Sequence, residues 1–421
     1  MSKQIAHNLD DAESKRCLNC KVPRCVQSCP IGCDIPLFLQ YVSNGETDKA
    51  VQLIGHPFGE ICGYVCPHDK QCQGACVLSK SGQPVKMGEI ERTAFARYPY
   101  KVERKVRAGC KSGGLKVAVV GGGVSGITCA VKLYEQGADV TIYERDELLS
   151  TLKLITEFRL PREALSRVLE TVDGKFNVVH RYVNFDDIFV RKVYPWQNKL
   201  QRDAHKDALQ LMDSYDAVYV STGASVPYEF GIEGQQFATP YDVFLKSATH
   251  SGDVVVIGGG NTAMDCARLA QRNGCRVTVA YRRTQADMPA FTKEIEDAYS
   301  DGVQFIYNVA PVKLEQKSDK LLLTLATTVS EGRGKLTVTN QTSVIECDAV
   351  VSALGCKFDK YNIYGAFYSS LIEDSEPNNP HNPRFNLYIG GDALGASTVA
   401  NAVADGIKVA HMIIKDYKKT R

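Results

Sequence analysis

The chain has 421 residues, 23% of them charged, and a formal net charge of +2. That length suits two or three domains, and the near balance of charge gives no general reason to expect nucleic acid or an acidic membrane surface as a partner. The polar start MSKQIAHNLDDAESK lacks the apolar core of a secretory signal, and no apolar run approaches the ~18 residues of a membrane span, so a cytoplasmic location is expected.

Nine of the fifteen cysteines fall between Cys17 and Cys76. The run CLNCKVPRCVQSCP spaces Cys17, Cys20, Cys25 and Cys29 as C-x2-C-x4-C-x3-C-P, and EICGYVCPHDKQCQGAC carries Cys62, Cys66, Cys72 and Cys76. A disulfide framework suits a small secreted chain, which this is not. Structural zinc pairs C-x2-C with a distant second pair. Three or four thiolates in one loop closed by Cys-Pro fit cubane iron–sulfur ligation better, and nine cysteines leave room for two clusters. Between the two sets, DIPLFLQYVSNGETDKAVQLIG predicts two short helices broken at Asn44-Gly45. The region to about Tyr100 therefore reads as a small helical domain around inorganic cofactors. KVERKVRAGCKSGG follows as a basic, solvated linker.

Next comes LKVAVVGGGVSGITCAVKLYEQGADVTIYER. A strand over 116–120 runs into Gly121-x-Gly123-x-x-Gly126 and a helix, and a second strand ends at Glu144. Strand, loop, helix and a correctly spaced acid together predict dinucleotide binding, with the pyrophosphate at the helix N-terminus and Glu144 on ribose hydroxyls. Ser125 and Arg145 extend this candidate site. DVVVIGGGNTAMDCARLAQRNGCRVTVAYRR repeats the layout with Gly258-x-Gly260-Asn261-Thr262-Ala263. Twenty-three positions separate Gly121 from Glu144, and the same step from Gly258 reaches Tyr281, followed by Arg282-Arg283. Losing the carboxylate and gaining two guanidiniums favours a 2′-phosphate, hence NADP(H).

Two later strands echo each other, one ending at Thr222-Gly223 and one at Gly355, where the chain could cross a bound nucleotide. The final segment, LYIGGDALGASTVANAVADGIKVAHMI, predicts a strand, the Gly390-Gly391-Asp392 turn and a helix entered through Ser397-Thr398. Flavoproteins with two nucleotide folds complete an FAD site with such a segment, the Asp on the ribityl chain. No C-x-x-C follows the first glycine loop, which argues against a flavin-linked disulfide reductase. Cys129 and Cys266 read as buried small apolar residues. The eight histidines show no paired metal spacing, and His56 and His68 read as surface or capping groups.

The cysteine sets, GGGVSG, EFRLPRE, GGGNTAMD, YRRTQADMPA and GGDALGASTV, in that order, resemble the small subunit of NADPH-dependent glutamate synthase. The same module forms the N-terminal half of dihydropyrimidine dehydrogenase and the large subunit of NADH-dependent ferredoxin:NADP oxidoreductase. The resemblance implies an α/β fold: a helical domain with two 4Fe–4S clusters at 1–100, a discontinuous FAD domain at 113–235 and 351–421, and an inserted NADP domain at 236–350. It assigns Cys17, Cys20, Cys25 and Cys76 to one cluster and Cys29, Cys66, Cys72 and Glu91 to the other, leaving Cys33 and Cys62 as spare thiols. The stretch LLSTLKLITEFRLPRE departs from the family, which has Gly-Gly and Tyr-Gly-Ile-Pro there. Leu149, Ser150, Lys153 and Ile155 stand where open backbone is expected beside the flavin.

The implied activity passes electrons from NADPH through FAD and the clusters to an electron-acceptor protein. Ring alignment, with no protein acid or base, serves the first step. Three versions stay open: a true glutamate synthase subunit needing a large subunit, a stand-alone NADPH:ferredoxin or acceptor oxidoreductase, and a non-enzymatic electron-transfer or assembly subunit with a degenerate flavin site.

Overall fold

The computed structural model describes residues 12–104, 114–180, 211–224, 226–247, 251–330, 335–357, 381–382, 386–395 and 398–419. The chain divides into two compact units. One comprises Met1–Lys153, Glu157–Ser225 and Phe358–Arg421; the other comprises Leu154–Thr156 and Val226–Lys357. The linker residues 105–113 lie outside the described residues.

The first unit opens with five helices: α1 (Arg24–Gln27), α2 (Ile35–Ser43), α3 (Thr47–Ile54), α4 (Gly59–Val65) and α5 (Met87–Arg97). Asp34 Oδ1 accepts from Leu37 N and starts α2, while Asn44-Gly45, the latter at φ +78°, separates it from α3 as the sequence predicts. Phe38, Leu39, Val42, Ala50 and Val51 are buried, as are Phe58, Ile61, Ile90 and Phe95. Helices α4 and α5 meet almost at backbone contact: a Cβ on Gly59 would overlap the Phe95 ring, and one on Gly63 would lie 2.7 Å from the Gly88 carbonyl oxygen.

A six-stranded sheet follows in the same unit. Its strands are β1 (Lys116–Val120), β2 (Asp139–Glu144), β3 (Asn177–His180), β4 (Ala217–Val220), β15 (His381–Asn382) and β16 (Leu387–Ile389), in the order β15-β16-β4-β1-β2-β3. All pairings are parallel except that of the edge strand β15. Val117, Val119, Val218 and Val220 are fully buried, as a parallel sheet covered on both faces requires. Helix α6 (Val124–Glu135) joins β1 to β2, α7 (Arg162–Val172) precedes β3, and a 21-residue helix closes the chain at Val399–Lys419.

The longer stretch of the second unit begins and ends on a short antiparallel pair, β5 (Val226–Pro227) with β14 (Cys356–Lys357), and repeats the parallel motif between them. Strands β6 (Thr239–Pro240), β7 (Asp253–Ile257), β8 (Arg276–Tyr281), β9 (Gln304–Tyr307) and β13 (Ala349–Ser352) run in the order β6-β13-β7-β8-β9. Helices α8 (Tyr241–Lys246), α9 (Asn261–Arg272) and α10 (Thr292–Ser300) accompany them, and the Val399–Lys419 helix is α11. An antiparallel sheet of β10 (Val309–Lys317), β11 (Lys320–Ser330) and β12 (Leu336–Cys347) buries Leu314, Leu323, Leu325 and Cys347 against Val255, Ile257 and Val350. The fold is thus α/β, with two Rossmann-like sheets following a cysteine-rich helical segment in the chain.

An ion pair with a buried carboxylate and a half-buried guanidinium fastens that segment to the first sheet's helices. Arg167 on α7 grips the Glu60 carboxylate on α4 with two parallel hydrogen bonds, Nε to Oε2 at 2.7 Å and Nη2 to Oε1. Glu60 is 3% exposed. Removing one member of such a pair strands a buried charge at about 3 kcal/mol or more, whereas replacing both with apolar groups is often neutral. Arg167→Met is therefore expected to lower the anoxic thermal midpoint by several degrees. Glu60→Leu combined with Arg167→Met should recover most of that loss. Equal losses in the single and double variants would show that the pair does not act as described.

Candidate functional site

Two cavities gather the cysteines. Cys17, Cys20, Cys25 and Cys76 line the first, walled by Ile35, Leu39, Val85 and Met87. All four are half-exposed. Burial pushes the Cys17 and Cys25 thiols upward, partly offset by backbone hydrogen bonds. The second cavity is lined by Cys29, Cys33, Cys62, Cys66, Cys72, His68 and Glu91, and also by Ala400 from the first turn of α11. Cys72 borders both cavities.

Glu91 projects from the second turn of α5 and is 8% exposed. Burial, then the nearby Cys66 and Cys29, raises its carboxyl well above the usual range. Cys33 and Cys62 each interact with a neighbouring thiol. A hydrogen bond from Cys33 lowers Cys29 to about 6, and Cys62 is held up by its bond to Cys66 and by burial. Five thiols and a carboxyl around one buried cavity are donors that repel one another when ionised, and a cationic iron core removes that penalty. The donor set thus fits iron–sulfur clusters.

His56 and His68 are not surface groups. His56 is fully buried, its Nδ1 accepts from Phe58 N ahead of α4, and burial lowers it to about 3. The helix itself has no side-chain cap. His68 lies against Gly88, lines the second cavity, and is lowered to about 4 by burial. Cys129 and Cys266 are fully buried.

The first glycine loop is shaped by backbone contact. Gly121 has φ +105°, and a Cβ there would lie 2.5 Å from the Ser221 carbonyl oxygen. A Cβ on Gly126 would lie 2.0 Å from the Gly121 carbonyl oxygen, whereas one on Gly123 would meet nothing within 4 Å. The loop is therefore tight at both ends and open in the middle, at the N-terminus of α6, which is the cradle a pyrophosphate needs. Glu144 ends β2 with its carboxylate turned to its own loop, accepting from Gly122 N at 2.5 Å and Asp146 N at 2.8 Å. Arg145 pairs with Asp146. Thr222 and Gly223, the latter at φ +73°, follow β4.

The departure noted in the sequence falls on this loop. Leu149 takes a left-handed φ of +59° while buried, a conformation that favours glycine, and its N–H donates to Gly122 O at 3.0 Å. Leu148 covers Gly122. Lys153 turns away to pair with Glu147.

Gly391 and Asp392 form a single 3-10 turn after β16, and Thr398 precedes α11, where its Oγ1 accepts from Asn401 N. Ser397 lies outside the described residues. Sequence reasoning missed Asp405, on α11. Its carboxylate accepts from Gly391 N and from Tyr219 OH, and Tyr219 OH meets Ser125 Oγ at 2.7 Å. This polar chain ties the last helix to the first loop. Only the small-residue run around Asp405 hints at it.

In the second loop Gly258 has φ +146° against the Ala353 carbonyl, and a Cβ on Gly260 would meet nothing within 4 Å. Tyr281, where the first copy has its acid, lays its ring over Gly259 and donates to Asp287 O. Asn261, the first residue of α9, accepts from Phe291 N through Oδ1, and Thr262 follows it. Backbone bonds fix the Arg282-Arg283 pair: Arg282 O accepts from Thr328 Oγ1 and Arg283 O from Asn308 N. The Arg282 side chain is exposed. Gly355, at φ +88°, follows β13 in open space.

Comparison with known proteins agrees with this anatomy. Residues 1–101 match the family described as dihydropyrimidine dehydrogenase domain II, 4Fe-4S cluster. Residues 115–406 match the pyridine nucleotide-disulphide oxidoreductase family. The NADPH glutamate synthase small chain of Escherichia coli (strain K12) is 29% identical, over 96% of this chain and 90% of that protein. The same protein from Halomonas elongata is 30% identical over the same shares. The structure of FprA from Mycobacterium tuberculosis in complex with NADPH has the same fold at 16% identity and a TM-score of 0.51, over 72% of this chain and 85% of that one. The chain belongs to the glutamate synthase small-chain family, an NADPH-dependent FAD and iron–sulfur oxidoreductase built on the pyridine nucleotide-disulphide oxidoreductase fold.

Proposed function

We propose that the chain carries electrons from NADPH to a partner protein in a fixed order: flavin, second cavity, first cavity, surface. The observation behind that order is Ala400. It lies in the first turn of α11, the helix that follows the Gly391-Asp392 turn in the chain, and it walls the second cavity but not the first. When bound, the nicotinamide and flavin rings move two electrons together and the clusters move them singly.

The chain's own residues supply position. Gly121, Gly123, Ser125, Gly126, Thr222, Gly223, Gly391, Asp392 and Thr398 frame the FAD site, with Glu144 and Arg145 at its ribose end. Gly258, Gly260, Asn261, Thr262 and Gly355 frame the NADP site, with Arg282 and Arg283 for the 2′-phosphate. Cys17, Cys20, Cys25 and Cys76 hold one 4Fe–4S cluster; Cys29, Cys66, Cys72 and Glu91 hold the other. The acceptor is a protein, because clusters reaching half-exposed cysteines serve an exit at the surface.

Anoxically purified protein should contain about eight iron and eight acid-labile sulfide atoms per chain. Cys20→Ala should lose about half of both, and Cys62→Ala neither; stoichiometric zinc without sulfide would defeat the reading. For nucleotide choice, stopped-flow reduction of the flavin should be far faster with NADPH than with NADH at equal concentration. Replacing Arg282 and Arg283 by Ala should raise the apparent KM for NADPH by ~10–100-fold with little change in kcat, since charged hydrogen bonds to the 2′-phosphate act in ground and transition states alike. An unaltered NADPH/NADH ratio would move the phosphate site elsewhere.

Glu91 has its own test. Glu91→Cys should keep the second cluster and shift its potential, and Glu91→Ala should leave an iron that is lost on mild oxidation. Anoxic EPR of the dithionite-reduced variants reads both. A wild-type spectrum and wild-type oxygen tolerance in Glu91→Ala would exclude Glu91 as the ligand.

A further inference from the structure

The two cysteine loops that line the first cavity are one-sided in charge, and the acids flanking them include Asp34, Asp69 and Glu13, the last paired with Arg16. Neither Cys17–Cys33 nor Lys70–Lys86 contains an Asp or Glu, although the chain as a whole has 48 of them. Both stretches line the same cavity. They carry Lys21, Arg24 and Lys80, all exposed. Among these cations stand three exposed apolar side chains: Leu18 at 59%, Val22 at 64% and Val77 at 42%. Leu18 and Val77 also line the cavity, so this apolar surface directly covers the four half-exposed cysteines.

An apolar centre ringed by cations of one sign is the anatomy of a docking face, and it selects a partner of opposite charge. Steering by such a ring raises encounter rates without tight binding, which suits a carrier that must leave after receiving one electron. Building on the proposed electron order, we infer that this surface docks an acidic protein bearing its own one-electron centre, with Val22 and its apolar neighbours at the contact centre and Lys21, Arg24 and Lys80 as the electrostatic rim. A second basic strip, Lys408, His411 and Lys415 on α11 beside Pro30 and Ile31, is the competing face. It lies against the second cavity's loop, upstream in the electron order, and is the internal control.

The test uses the anoxic holoenzyme with three acceptors: an acidic 2Fe–2S ferredoxin, basic cytochrome c, and a small neutral benzoquinone. Wild type should reduce the ferredoxin in preference to cytochrome c, and that rate should fall steeply as salt rises. Lys21→Glu combined with Lys80→Glu should lower kcat/KM for ferredoxin ~10-fold or more at low salt and raise that for cytochrome c. Val22→Ser should lower it with unchanged salt dependence. Iron content, the reduced-cluster EPR spectrum and benzoquinone reduction should stay at wild-type values in all variants, and Lys415→Glu should match wild type throughout. Unchanged ferredoxin reduction in the charge-reversed pair, a loss in Lys415→Glu instead, or a wild-type preference for cytochrome c would each overturn the docking face. Wild type unable to pass electrons from NADPH to benzoquinone would instead overturn the electron-chain reading itself.

Discussion

Backbone-to-backbone contact at a few glycines is the constraint on which the first unit depends. A Cβ on Gly126 would lie 2.0 Å from the Gly121 carbonyl oxygen, and one on Gly406 would lie 2.5 Å from the Ser125 carbonyl oxygen. Real side chains do not approach so closely, so only glycine lets α6 come down on its own loop and α11 come down on α6. The position of α11 then sets where Ala400 stands against the cysteines. The buried contact of Asp405 with Gly391 N and Tyr219 locks the same junction by polar means. A glycine step in the dinucleotide loop is thereby coupled to the wall of a cavity contributed by another part of the chain.

The second unit adds a charged contact to its own tight glycines. Arg268, 5% exposed, lies between Glu294, Asp297 and Asp301 at 3.0, 3.2 and 2.8 Å, so one buried guanidinium holds α9 against α10. Its charge is matched on several sides, which is the condition under which a buried cation is tolerated. The cysteine region has the reverse imbalance, with electron-rich donors facing inward, and the iron cores complete it.

Elements were legible in the sequence wherever local chemistry decides them. Asn44-Gly45 broke two helices, the glycine loops marked strand-to-helix turns, and the GGD segment predicted strand, turn and helix in the right order. Convergence was harder to read. Spacing cannot show that Cys76 shares a cavity with Cys17 while Cys72 borders both, because the sequence between them folds back by tertiary packing. His56 looked like a surface group because nothing local announces its burial. The carboxylate of Glu144 could be placed at the end of β2 but not seen turning onto Gly122 N. Leu149 stood out as an unexpected side chain, yet its left-handed backbone was visible only in the fold.

The second cavity joins distant parts of the chain. Cys29 to Glu91 lie in its first quarter, while Ala400 stands on α11. The wall is therefore complete only once α11 has packed, and the thiols and Glu91 take their final setting in the same event that seats α11 on the dinucleotide loop. A chain with α11 displaced would keep its cysteine loops and still lack one side of this cavity.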